Sequence, residues 1–380
     1  MVTPGIDNIR EYEHWLKGKR VGLLTNITGR DSKNSSTIDV LEELCGLTAL
    51  FAPEHGVRGD VGAGEAVDAY TDAATGLKVY SLYGGSGKHL SQEMLDTFDV
   101  LVYDIQDIGV RFFTYISSLH NALKDCAEAG KTLIILDRPN PLGGRVVEGG
   151  VLDPAYSSFV GCYPLAIRYG LTSGEAARMM NEEEKLGCDL KIVPCRGWKR
   201  NSLFCDWGRV WPAPSPALMT FETTLLYPGL CLVEGTNLSE GRGTAAPFRI
   251  IGADYVHAEE LMEAFNREEL PGVTSTPVWF TPAVSKHQGK KCGGILLHVT
   301  DWEKIRPVTV GVTLLDVIRK LYPKAYDTLP PVREGGRPMM ALLSGSGLLL
   351  GSWDRKEVLA KWDQESRDFA ERKQQYHLYE

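Results

Sequence analysis

The sequence predicts an α/β protein, with a doubly wound parallel sheet over residues 1–155 and a smaller α+β domain over residues 156–380 that closes a cleft against it. Three observations carry that expectation. Near-continuous apolar runs at 20–24, 47–52, 78–82, 100–103 and 132–136 alternate with amphipathic segments, as in strands covered on both faces by helices. Four of those runs end abruptly in reactive side chains: Thr25-Asn26, Pro53-Glu-His-Gly56 with Arg58, Asp104-Ile-Gln-Asp107, and Asp137-Arg-Pro-Asn140. In open α/β sheets the ligand lies beyond the carboxyl ends of the strands, so the four ends point to one active-site edge. Finally, the strand–helix rhythm breaks after Gly143-Gly144. Four or five β/α units fall short of the eight of a TIM barrel, which leaves a Rossmann-like sheet.

The elements follow in order. A strand at 20–24 leads to a helix at 36–44 with Ile38, Leu41 and Leu44 on one face. Strands at 47–52 and 78–82 precede a helix at 91–98. The strand at 100–103 feeds a helix at 115–129 whose Ile116, Leu119 and Leu123 face inward, and 132–136 is the last strand of the first domain. In the second domain Thr172, with Glu175 three residues on, marks a capping box opening a helix that runs to Leu186. A strand at 190–193, a Trp/Pro-rich loop at 211–216 and a Gly-rich polar loop at 234–243 come next. Helices at 258–268 and 314–321, a strand at 294–299 and a charged helix from about Asp354 complete the chain.

Bulk composition narrows the function classes. The chain has 380 residues, 43% hydrophobic and 24% charged, as a water-soluble globular protein does. A net charge of −8 without a basic block argues against nucleic acid as partner. No run approaches the ~20 apolar residues of a membrane helix. Residues 1–8 carry no charged-then-apolar leader, so the expected compartment is the cytoplasm unless a native signal precedes this sequence. Cys45, Cys126, Cys162, Cys188, Cys195, Cys205, Cys231 and Cys292 form no C-x-x-C pair and read as reduced thiols, with Cys188, Cys195 and Cys205 close enough in sequence to keep a disulfide or metal reading open.

Familiar motifs fail one by one. Gly84-Gly-Ser-Gly-Lys88 has Leu82 and His89 where a phosphate loop needs Gly and Ser/Thr, and Asp60-Val-Gly-Ala-Gly-Glu65 does not open a helix directly after a strand. No G-x-S-x-G elbow and no H-E-x-x-H pair occur, and the eight histidines lack metal-ligand spacing. No cofactor or metal is expected. What remains is carboxylate chemistry, with Glu54, Glu65, Asp104, Asp107, Asp137, Glu148, Glu234 and Glu240 in polar loops or at strand ends. A carboxyl in a partly apolar cleft acts as a general acid near neutrality. Glu54, between Phe51-Ala-Pro53 and His55, fits that description best; helix N-cap and partner of Arg58 are its alternatives. Asp104 and Asp107 are equally readable as N-caps of the helix near Thr114 or as partners of Arg111. Arg58, Arg111, Arg138, Arg168 and Arg242 offer planar forks for an anionic or hydroxyl-rich ligand, or for buried ion pairs. Tyr103, Phe112, Phe113, Tyr115, Trp211 and Tyr227 are core rings or sugar-stacking platforms.

Taken together and in order, these segments resemble one family. They are Phe51-Ala-Pro-Glu-His-Gly-Val-Arg-Gly59, Tyr103-Asp-Ile-Gln-Asp-Ile-Gly109 with Arg111 and Thr114-Tyr115, Leu136-Asp-Arg-Pro-Asn-Pro-Leu-Gly-Gly144, Val147-Glu-Gly149, Arg168-Tyr-Gly-Leu-Thr172, Pro214-Ser-Pro216, Tyr227-Pro-Gly229, and Glu234-Gly-Thr-Asn-Leu-Ser-Glu-Gly-Arg-Gly-Thr244. The chain resembles the NamZ-type exo-β-N-acetylmuramidases over nearly its whole length. The resemblance implies a Rossmann-like domain and a smaller C-terminal domain with a cleft between them. It also implies release of β-1,4-linked N-acetylmuramic acid from the non-reducing end of peptidoglycan fragments, with Glu54 as catalytic acid. Glycosidases usually pair the acid with a second carboxylate, for which Glu65, Asp104, Asp107 and Glu240 are candidates, unless the 2-acetamido group of the sugar supplies the nucleophile. The expected partners are therefore muramic-acid-containing saccharides, contacted by Asn26, His55, Arg58, Gln106, Asp107, Arg111, Tyr115, Asp137, Arg138, Asn140, Glu148, Asn237, Glu240 and Arg242. The lactyl carboxylate is expected to meet Arg58 first, then Arg111 or Arg138. A non-catalytic amino-sugar-binding protein is the alternative; a nucleotide-dependent sugar enzyme is disfavoured by the failed motifs.

Overall fold

The computed structural model of the chain describes residues 2–59, 69–83 and 88–380. Its first sheet has seven strands in the order β3-β4-β2-β1-β5-β6-β9, with β1 Val21–Thr25, β2 Leu47–Ala52, β3 Tyr70–Thr71, β4 Lys78–Ser81, β5 Val100–Asp104, β6 Thr132–Leu136 and β9 Asp189–Val193. All neighbours are parallel except the two-residue edge strand β3, which runs antiparallel to β4. Successive strand side chains feed opposite faces. Leu24, Phe51, Leu101, Tyr103, Leu133 and Ile135 join the large core beneath α3 (Tyr115–Glu128) and α4 (Ser173–Glu183). Leu23, Leu50, Val102, Ile134 and Leu136 join a smaller core beneath α1 (Thr37–Cys45) and an N-terminal 3₁₀ segment, Gly5–Trp15. Two buried faces explain why the strands read as unbroken apolar runs. Ser36 caps α1 by accepting from Ile38 N, and Gly46, at φ +67°, ends it. The helix expected at 91–98 is a single turn, α2 Gln92–Leu95.

The sheet continues past residue 155. β9 pairs with β6 through five register positions, and α4 is the crossover that brings it there. Thr172 and Glu175 form the capping box that starts α4. An antiparallel pair, β7 Glu148–Val151 and β8 Ala166–Arg168, brackets the expected boundary near residue 155. The second domain centres on a three-stranded antiparallel sheet, order β10-β12-β11, made of β10 Ile250–Ala253, β11 Val273–Phe280 and β12 Cys292–Val299. Around it lie α5 Phe221–Leu230, α6 Ala258–Asn266, α7 Pro307–Leu321, α8 Met339–Ser344 and α9 Arg355–Arg372. Asp354 caps α9, where the charged helix was expected to begin. The segment after α9 returns to the first domain. Lys373 Nζ donates to Gly144 O and Gly170 O at 2.7 Å each, Leu378 N to Glu175 Oε1 at 2.8 Å, and the Tyr379 hydroxyl to Asp137. Among the described residues no helix is long and apolar enough to cross a membrane. The eight cysteines are free thiols, with Cys205 exposed.

Candidate active site

The chain runs outward from β1 to β2 and β4, then returns to the other side of β1 as β5, so the strand order reverses between β1 and β5. A crevice at such a switch point is where α/β sheets bind ligands. Glu54 lies one residue beyond Pro53 at the end of β2. His55 and Gly56 follow with φ of +75° and +74°. A left-handed histidine is uncommon backbone, and here it turns the chain sharply enough to leave Glu54 at the mouth while His55 itself is buried. The Glu54 carboxylate accepts the Thr114 hydroxyl at 2.9 Å, from the residue that starts α3. It also meets the Tyr83 phenol beyond β4; burial and the Glu54 charge push that phenol up to about 12. The Tyr83 ring packs on Phe159, and Lys88 Nζ sits 3.8 Å above the same ring. Burial pulls the Lys88 pKa down while Glu54 opposes the shift. Tyr115, next along α3, donates to Pro214 O at 2.8 Å and lies beside the Asn26 side chain. Thus Glu54, half-buried, faces two hydroxyls and an ammonium at the sheet edge.

The other expected carboxylates are differently placed. Asp104 is fully buried, held by Arg138 Nε at 2.5 Å and Nη2 at 2.8 Å and by the Thr37 hydroxyl. It caps no helix. Asp107 is 5% exposed; its Oδ2 accepts Gly109 N at 2.7 Å and the Tyr169 hydroxyl, its Oδ1 has no partner, and burial raises its pKa to about 6. Gly109, at φ +74°, is required by this turn, because a Cβ there would stand 2.2 Å from Asn140 Nδ2. Asp137 is also raised to about 6 by burial, and it anchors Gly174 N, the Thr172 hydroxyl and Tyr379. Glu148 accepts Thr309 N at 2.9 Å, and burial raises its pKa. Glu240 is 3% exposed between Lys286 at 2.9 Å and Arg242 at 3.4 Å, while Arg242 also holds Glu234 at 2.7 Å. Glu65 falls outside the described residues.

The arginines expected to receive the lactyl group are engaged. Arg58 makes a two-pronged pair with Asp72 at 3.0 and 2.8 Å, which holds that carboxyl down at about 2. Arg111 is fully buried and donates to Gly150 O, Leu165 O and Leu343 O at 2.6–2.8 Å. Arg138 belongs to Asp104. Gln106 bridges Asp107 O and Pro139 O, Asn26 accepts from Thr28, Asn140 ties Leu171 O to Leu142 N, and Asn237 holds Ala325 O. Phe112 and Phe113 pack against Tyr227, and Tyr227 against Phe248, so the start of α3 is wedged against α5. Sequence reasoning missed Tyr83, Lys88 and Thr114 as neighbours of Glu54; Tyr83 is findable, since it follows a strand end as Glu54 does. Among the described residues no group of three or more His, Cys, Asp or Glu is placed to hold a metal ion.

Comparison with known proteins points to one family. Residues 21–222 match the model of the N-terminal domain of exo-beta-N-acetylmuramidase NamZ, and residues 225–379 match that of its C-terminal domain. The peptidoglycan beta-N-acetylmuramidase NamZ of Bacillus subtilis (strain 168) is 46% identical over 331 residues, which is 86% of this chain and 80% of the relative. Two crystal structures of DUF1343 family proteins from Bacteroides fragilis NCTC 9343 superpose over 100% of this chain and 99% of theirs. Their TM-scores are 0.90 and 0.76, at 38% and 30% identity.

Proposed function

The chain belongs to the exo-β-N-acetylmuramidase NamZ family and is a glycoside hydrolase, and from that premise we propose that it acts on peptidoglycan fragments, releasing N-acetylmuramic acid from the non-reducing end with Glu54 as general acid. One observation carries the assignment of Glu54: of the carboxylates at the strand ends in the described residues, it is the one that is half-open to the cleft and hydrogen-bonded to hydroxyls rather than locked to a guanidinium. A protonated Glu54 gives its proton to the glycosidic oxygen as the C1–O bond breaks, and water completes hydrolysis at C1. Thr114 and Tyr83 fix the carboxyl rotamer. The Asp104–Arg138 pair supports the reading from below, since it braces the carboxyl ends of β5 and β6 without presenting a free carboxylate.

The test is turnover of 4-nitrophenyl β-N-acetylmuraminide without added metal or nucleotide. Glu54→Gln should keep the melting profile and lose roughly 10²–10⁴-fold in rate, the usual worth of general-acid action. A wild-type rate in the folded variant would remove Glu54 from the chemistry. Binding of the sugar by wild type without any turnover would make the protein a sugar-binding module instead.

A further inference from the structure

A cavity of about 350 Å³ opens at the switch point between β1 and β5, at the small end of the range for ligand pockets. Its wall includes Thr28 and Arg30 beyond β1, Gln106 beyond β5, Arg138 beyond β6, and Trp207, Arg209 and Trp211 from the following loop. Among the described residues three guanidiniums line it and no carboxylate does, in a chain whose net charge is −8. Arg138 is balanced by Asp104. Arg30 and Arg209 are not: Arg30 donates to Ile27 O at 3.2 Å and Asn34 O at 2.8 Å, Arg209 to Asp31 O at 3.1 Å, and no described carboxylate pairs with either. Burial, and then the neighbouring Arg138, pulls the Arg209 pKa down, against the smaller opposing effect of Asp7, Asp31 and Asp104, none of which forms an ion pair with it. Trp207 is 4% exposed and its indole N–H has no partner among the described residues. The segments that line the cavity also reach towards Glu54: Asn26, two residues before Thr28, lies beside Tyr115, and the Tyr115 hydroxyl donates to Pro214 O, three residues past Trp211.

We propose that this cavity is a carboxylate-binding subsite on the same sheet edge as Glu54, in which the guanidiniums of Arg30 and Arg209, paired with no described carboxylate, hold an anionic group of the saccharide against the Trp207–Trp211 surface. The inference rests on the glycosidase reading and moves the recognition of the acid group away from Arg58, which is paired with Asp72, and from Arg111, which is fully buried against backbone carbonyls. An arginine fork meets a carboxylate through two charge-assisted bonds, and in a partly dry cavity holding like charges those bonds gain strength. The carboxylate has two possible sources, the lactyl ether of the muramic acid or the acidic peptide carried by a neighbouring sugar.

Titration calorimetry of the intact protein with N-acetylmuramic acid, N-acetylglucosamine and the dipeptide L-Ala-γ-D-Glu separates them. Wild type should bind one of the carboxylate ligands roughly 10- to 100-fold more tightly than N-acetylglucosamine, and Arg30→Met and Arg209→Met should erase that margin while leaving the glucosamine affinity in place. Loss confined to muramic acid assigns the lactyl group; loss confined to the dipeptide assigns the peptide. Arg209→Lys, which keeps the charge and removes the fork, should fall between. Unchanged carboxylate affinities in both folded Met variants overturn the proposal. Because binding is read directly, absence of turnover in wild type would defeat the glycosidase reading without deciding this one.

Discussion

Neutralising Asp104 should destabilise the protein while sparing the chemistry. Asp104 and Arg138 are 0% and 4% exposed, joined by contacts of 2.5 and 2.8 Å. Such a pair gains little over well-packed apolar residues, but removing one partner strands a buried charge at a cost of about 3–5 kcal/mol. Asp104→Asn leaves Arg138 uncompensated at every pH. Arg138→Met leaves the Asp104 carboxylate buried without its guanidinium partner. The double change Asp104→Leu/Arg138→Met removes both charges and should cost less than either single change. Equilibrium urea unfolding, extrapolated linearly, gives the three values. Two single losses below about 1 kcal/mol that add in the double variant would refute the buried-pair argument. A stable Asp104→Asn protein with turnover abolished would return Asp104 to the mechanism.

Two further outcomes follow from the same geometry. The Asp107 carboxyl, raised by burial to about 6 from its ordinary value of 3.8, keeps its proton in the fold after the unfolded chain has lost it. Its contribution is therefore full below about pH 4 and lost as pH climbs through about 6. Asp107→Asn should remove that slope and gain up to about 3 kcal/mol relative to wild type across the window; parallel stability–pH curves would contradict it. Dialysis against EDTA should leave turnover unchanged, since acid–base glycosidases work with carboxylates alone; a loss restored by a divalent ion would refute this.

The parallel sheet was readable because its signal is local: 47–52 is apolar in every position but one and coincides with β2, and Thr172 with Glu175 sits where the capping box forms. The strand-end rule then put Glu54 at the mouth. Other elements carried no such signal. α5 is buried at every position but Glu222, polar Thr223 and Thr224 included, with Pro228 inside it, and β11 loses its buried–exposed alternation after Thr276, so neither shows a clean period. Side-chain pairing was the least legible level. Arg58 finds Asp72 14 residues away, Arg138 finds Asp104 34 residues away, and Arg111 is satisfied by backbone carbonyls as distant as Leu343. Carbonyls leave no trace in a sequence, so a structural guanidinium and a ligand-binding one look alike until the fold is known.

The return of the segment after α9 bears on how the protein is made. Asp137 is a buried carboxyl in the first sheet, and one of its hydroxyl donors, Tyr379, is synthesised 242 residues later. Glu175 likewise waits 203 residues for Leu378 N, and the carbonyls of Gly144 and Gly170 wait for Lys373. A nascent chain can therefore assemble β1, β2, β5 and β6 early, but the loop after β6, which bears Arg138, is finished only when residues 373–379 have left the ribosome. Vectorial synthesis thus leaves Asp137, Gly144, Gly170 and Glu175 short of these partners until the last segment of the chain is present.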